Sequence, residues 1–196
     1  MKRKFILLAM MLLTLIGGVN LNVLNAQGTV EIGVSDNSPT GMYPMYSSFY
    51  HSESQQIYTE SEIGQTGSIA EIAFKTSTGS KDHNITVWML TTSQENLSTA
   101  VSYADTDIVF NGVWEVSKAE ANEWAPIVLS EPFEYNGGNL VVVMRENGTG
   151  GTDKFHRYTK GIGTSLHYKY ASSASNLLTN SYSNTSTYNN LFRLTF

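Results

Sequence analysis

The tyrosines are the first side chains whose type and spacing suggest chemistry. Tyr43, Tyr46, Phe49 and Tyr50 fall within one short segment, and Tyr168 and Tyr170 stand two apart near the other end. A tyrosine presents a flat apolar face with a polar tip, which suits stacking on a sugar ring or anchoring a protein partner. Tyr43, Tyr46, Tyr50, Tyr168 and Tyr170 are therefore the candidate ligand contacts, with Tyr58, Tyr182 and Tyr188 in the same inventory. The competing reading is that aromatic residues favour strands and cover half-buried surface.

Asp105 and Asp107, followed by Asn111-Gly112, form a candidate metal site. Carboxylates at alternating positions can converge on a hard cation, so calcium is the metal considered. The EF-hand spacing fails, because no acid stands two residues after Asp107. The alternatives are calcium in a β-sandwich loop and solvated acids at a strand entry. His156 and His167 could face one another across adjacent strands near Asp153 as an acid/base or metal pair, or stand as ordinary strand-surface residues. The run NGTGGTD (147–153) is Gly-rich but opens no helix, so it reads as a hairpin loop rather than a phosphate cradle. There is no G-x-S-x-G, H-E-x-x-H or P-loop. No catalytic residue is assigned, and the chain is expected not to be an enzyme.

Lys2, Arg3 and Lys4 precede an apolar run from Phe5 to Ile16, and Leu24-Asn25-Ala26 before Gln27 fits a cleavage site. Residues 1–26 are expected to be a secretory signal peptide, with an uncleaved N-terminal anchor as the alternative. No later segment approaches the ~20 apolar residues of a transmembrane helix. Export would place the protein in the periplasm, at the cell surface or outside the cell. Residues 27–196 are then a single domain, large enough to bury a core without staples. None are present, since the cysteine count is 0, which excludes disulfides and thiol chemistry.

Without Lys2, Arg3 and Lys4, 9 Lys and Arg stand against 17 Asp and Glu, a net charge of −8. Residues 27–146 hold 16 acids and 4 bases, whereas 147–196 hold Asp153 against Lys154, Arg157, Lys160, Lys169 and Arg193. Nucleic acid is not an expected partner for so acidic a molecule.

The elements that must position these side chains are strands. In 70–75, Ala70, Ile72 and Phe74 alternate with Glu71, Ala73 and Lys75; in 84–91, Ile85, Val87 and Met89 alternate with Thr86, Trp88 and Leu90. Leu140 to Arg145 is a continuous apolar run, which predicts a central strand covered on both faces. Residues 62–67 read as a Gly-punctuated turn, 76–83 and 92–105 as polar loops, and 171–190 as an exposed Ser/Asn-rich loop. Roughly ten or eleven short strands without a long helix predict an all-β sandwich or barrel.

Several stretches resemble an extracellular module of Bacteroidota. They are YPMY (43–46), SQQIYTESEIG (54–64), GSIAEIAF (67–74), ITVWM (85–89), WAPIVLSEPFEYNGGNLVVV (124–143) and NNLFRLTF (189–196). Such modules are found in large secreted or surface adhesin-like proteins, often beside fibronectin type III-like domains, and are distantly similar to gingipain-type adhesin domains. The resemblance covers residues 41–196 and implies a jelly-roll-like antiparallel β-sandwich with no catalytic residues. The expected function is a non-catalytic binding or adhesion module that holds a glycan or a cell-surface protein through exposed tyrosines. The alternatives are a structural protein–protein module or accessory subunit of the cell envelope and, least favoured, a hydrolase.

Overall fold

The computed structural model describes residues 28–33, 40–41, 43–46, 48–179, 181–182 and 184–196, so the expected signal peptide lies outside the described residues. Within them, thirteen strands form two antiparallel sheets, an all-β sandwich. The first sheet holds β1 (Thr29–Ile32), β2 (Thr40–Gly41), β4 (Gly67–Thr78), β7 (Trp124–Tyr135), β9 (Lys154–Thr159), β12 (Tyr188–Asn190) and β13 (Phe192–Thr195). The second runs in the order β11 (Asn184–Ser186), β10 (Leu166–Ala171), β3 (His51–Tyr58), β8 (Asn139–Asn147), β5 (His83–Thr92) and β6 (Ile108–Trp114). Two single-turn helices, α1 (Glu60–Ile63) and α2 (Ala174–Thr179), interrupt the strands. No helix among the described residues is long and apolar enough to cross a membrane.

The middle of the second sheet is buried on both faces. Leu140 to Met144 in β8 are all buried, with Leu140, Val142 and Met144 in the inter-sheet core. Val141 and Val143 lie on the opposite face with Ile57, Trp88 and Leu97. An unbroken apolar run is what such a strand requires. The cover on that outer face comes from residues 93–104, a polar stretch whose Leu97, Val101 and Tyr103 supply the apolar contacts.

β4 departs from strict alternation. A register shift between Ile69 and Glu71 puts Ile69, Ile72 and Phe74 in the core and leaves Ala70 half-buried. An extra residue in one strand of an antiparallel pair flips the faces on one side of the bulge. The turn expected at 62–67 begins instead as α1, where Glu62 accepts hydrogen bonds from the N–H of Thr59 (2.7 Å) and the hydroxyl of Tyr158 (2.8 Å). The expected loop 171–190 contains α2, β11 and β12, and its Asn189 and Asn190 are buried. Burial of these amides is tolerable because their NH2 groups find partners: Asn190 donates to the Tyr43 carbonyl (2.6 Å) and accepts from the Gln56 amide (2.9 Å), and Asn189 donates to the Ile57 carbonyl (2.6 Å).

Gly33 closes β1 with φ +93°, and a Cβ there would fall 2.5 Å from Leu191 and 2.6 Å from the Tyr158 ring. Gly33→Ala is expected to cost about 2 kcal/mol through both strain and overpacking. Chemical denaturation checks this, and an unchanged midpoint would contradict the placement of β1.

Candidate functional site

Alternation along β10 sends Tyr168 and Tyr170 to one face of the second sheet. Their neighbours in the ladder with β3 are Ser54 and Ser52, two small buried residues that leave room above the sheet. The segment containing Tyr43, Tyr46 and Phe49 fills that room. It is pinned through the same serines, because Ser54 Oγ donates to the Pro44 carbonyl (2.6 Å) and Ser52 Oγ accepts from the N–H of Tyr46 (2.9 Å).

The outcome is a five-ring patch. Tyr43 lies 4.5 Å from Tyr168 between ring centroids, Tyr46 stacks on Tyr170 at 4.6 Å, and Phe49 meets Tyr170 at 4.3 Å. Tyr46 and Tyr168 are nearly parallel, 3° apart. All five rings are half-buried. Burial, then the hydrogen bond and charge of Tyr168, push the Tyr43 hydroxyl well above the ordinary tyrosine range, so it stays a neutral donor. The structure thus brings together Tyr43, Tyr46, Tyr168 and Tyr170 with Phe49, whereas Tyr50 stands 61% exposed with no ring contact among the described residues. The remaining tyrosines go elsewhere: Tyr58 into the core, Tyr182 onto Glu53, and Tyr188 beneath Arg157.

The histidines are arranged differently from the sequence expectation. His156 in β9 bonds Asn122 and His167 in β10 bonds the Leu97 carbonyl, so the two belong to different sheets and do not pair. Asp153 is engaged by His83. His83 Nε2 lies 2.8 Å from Asp153 Oδ2 and His83 Nδ1 2.8 Å from Glu146 Oε1, with all three side chains fully buried. Burial alone would lower the imidazole pKa, but the hydrogen bonds and charges of both carboxylates outweigh it and push it up to about 9. Asp153 is held below its ordinary range despite its burial, by His83 and by Ser80, whose N–H donates to Oδ1 (2.5 Å).

The Gly-rich run 147–153 is accordingly not a hairpin. It carries the chain from β8 in one sheet to β9 in the other, and it wraps this ionic cluster. The Gly150 N–H donates to Glu146 (2.8 Å), and a Cβ on Gly151 would sit 2.8 Å from Asp153 Oδ2. Glycine is required there by the close approach of the backbone.

A second ionic cluster lies on the outer face of the second sheet. The fully buried Glu53 carboxylate meets Arg145 (2.6 Å), Lys169 (3.4 Å), the hydroxyl of Tyr103 (2.7 Å) and that of Tyr182. Burial would raise its pKa, yet these donors and cations hold it below the ordinary glutamate range. Beside it, Gln55 clamps Val101 in both directions, donating to its carbonyl and accepting from its N–H at 2.8 Å each.

Asp105 and Asp107 lie in a single 3-10 turn, where Asp107 Oδ2 accepts the N–H of Ala104 (2.8 Å). Among the described residues no group of three or more His, Cys, Asp or Glu side chains could hold a metal ion. No third described His, Cys, Asp or Glu side chain joins the two aspartates there, and Asp107 caps the turn through the Ala104 N–H.

Fold and site together define an all-β sandwich with an aromatic patch at one end of a sheet. No family model matches the chain, and no curated protein or solved structure matches it either.

Proposed function

We propose that this protein is an exported, non-catalytic binding module of the adhesin-like Bacteroidota type, which holds carbohydrate or glycoprotein on its aromatic patch. The observation that carries the reading is the convergence of Tyr43, Tyr46, Phe49, Tyr168 and Tyr170 from two distant segments into one half-exposed group. Ring faces give sugars a stacking surface, and phenolic tips supply hydrogen bonds to hydroxyl groups. The His83–Glu146–Asp153 cluster is read as structural, since its three side chains are closed to solvent and so to a substrate. Glycan-array binding of the purified protein tests the reading. Specific signal is expected, and it is expected to disappear in Tyr46→Ala and Tyr170→Ala proteins that retain the parent melting temperature. A blank array, or signal indifferent to both substitutions, would overturn it.

A second reading is favoured by a groove of about 430 Å³ between the edge strands β6 and β7. Val113 and Val128 on its rims are 60% and 66% exposed, over a floor that includes Phe110, Trp114 and Ile127. An apolar groove beside a long edge strand suits a protein partner. Pro126 and Pro132 in β7 remove N–H donors, which weakens simple strand addition at that edge.

A further inference from the structure

Arg157 differs from the other arginines of the described residues. Arg145 has Glu53 at 2.6 Å and Arg193 has Glu71 at 3.2 Å, whereas no carboxylate among the described residues lies within 4.0 Å of Arg157. Its Nε is buried without a hydrogen-bond partner. Its guanidinium instead lies on the Tyr188 ring, 4.4 Å from the centroid. Stacking fixes the plane of a guanidinium and leaves its N–H edge as a rigid donor fork matched to a carboxylate. A half-buried arginine with no carboxylate beside it among the described residues is an open valence.

This cation lies next to the aromatic patch. Asn190, directly opposite Arg157 in the β9–β12 ladder, donates Nδ2 to the Tyr43 carbonyl at 2.6 Å. On the other side of β9, a Cβ on Gly41 would stand 3.2 Å from Arg157 Nη1, and Gly41 is two residues from Tyr43. The Tyr43 carbonyl is thus held by the ladder partner of Arg157, and Gly41 lies against the Arg157 guanidinium itself.

We propose that the ligand of the aromatic patch is an acidic sugar, a uronate unit whose ring stacks on the tyrosines and whose carboxylate docks on Arg157. This inference rests on the glycan reading of the patch and adds the charge of the ligand. Stacking supplies the ring contact, while the single fork of Arg157 selects a carboxylate over a neutral hydroxymethyl or ester group.

The test uses a panel of glucuronate-, galacturonate- and mannuronate-containing oligosaccharides, each beside its carboxyl-methylated counterpart. At least one acidic member is expected to bind tenfold or more tightly than its methyl ester, with affinity falling as salt rises. Arg157→Gln is expected to erase that difference while keeping the weaker binding of the ester. Arg157→Lys, which keeps the charge and loses the fork, is expected to retain only part of the preference. Equal binding of acids and esters, or a preference that survives Arg157→Gln, would overturn the inference and leave the glycan reading standing. Failure of every sugar, acidic or neutral, would overturn both.

Discussion

His83→Leu is expected to destabilise the protein by about 3–5 kcal/mol, because it strips the cation from two buried carboxylates. For a domain of this size that lowers the melting temperature by roughly 6–20 °C. Glu146 and Asp153 both lie within 2.8 Å of the imidazole, and their side chains have no solvent exposure to fall back on. The pH profile should change as well as the midpoint. In the parent protein the imidazole pKa is raised to about 9, so its contribution is fully present below the unfolded value near 6.5. That contribution is lost as pH climbs through 9, a decline of about 3 kcal/mol by linkage. Asp153 works at the other end: its pKa is lowered, so its contribution is present above about 3.9 and lost on acidification. Greatest stability from this cluster is therefore expected between about pH 5 and 6.5. His83→Leu should remove the alkaline decline and gain stability on mild acidification, as a carboxylate takes up a proton. Denaturant midpoints measured from pH 5 to 10 check this, and an alkaline limb unchanged in the variant would contradict it.

Glu53→Ala is the second large effect, with an expected loss of about 2–4 kcal/mol. The figure is set below that of a fully buried pair because Arg145 and Lys169 retain 23% and 11% side-chain exposure, and water screens them in part. The substitution also leaves the hydroxyls of Tyr103 and Tyr182 without their acceptor. Both belong to segments lying over the outer face of the second sheet, so the damage should be local before it is global. Hydrogen exchange is expected to quicken in 101–104 and around Tyr182, with β8 remaining protected. Uniform quickening across β8 would contradict a network that mainly fastens the covering segments.

These clusters also show where sequence reading stops. The faces of β5 and the central place of β8 were legible, because periodicity records which side of a strand meets apolar neighbours: Ile85, Val87 and Met89 enter the core and Trp88 does not. The bulge in β4 was not legible, since it moves Ile69 inward by a backbone adjustment that leaves no mark on residue types. The His83 cluster was hidden for another reason. Its partners stand 63 and 70 residues away, and their meeting depends on pairing β5 with β8 and on the path of the loop after it. At α1 the Gly-rich context pointed to a turn, and the Thr59–Glu62 cap that holds the helix was not read from the sequence. Asn189 and Asn190 misled in the opposite sense. Their composition suggests an exposed loop, but amides that satisfy backbone groups can be buried, and these do so.

The aromatic patch lies between those extremes. Tyrosine content flagged the segments that converge, but the serines of β3 that seat Tyr43 and Tyr46 against Tyr168 and Tyr170 carry no sign of that role. Small residues matter there because they are small.

The measurement that bears most directly on the central claim is calorimetric titration of an array-positive oligosaccharide into the parent protein and into Tyr46→Ala. The patch account predicts saturable binding to the parent and about tenfold or greater weakening in the variant, in line with loss of a central aromatic contact. Equal affinity for the two proteins would contradict the assignment of the ligand to the tyrosines.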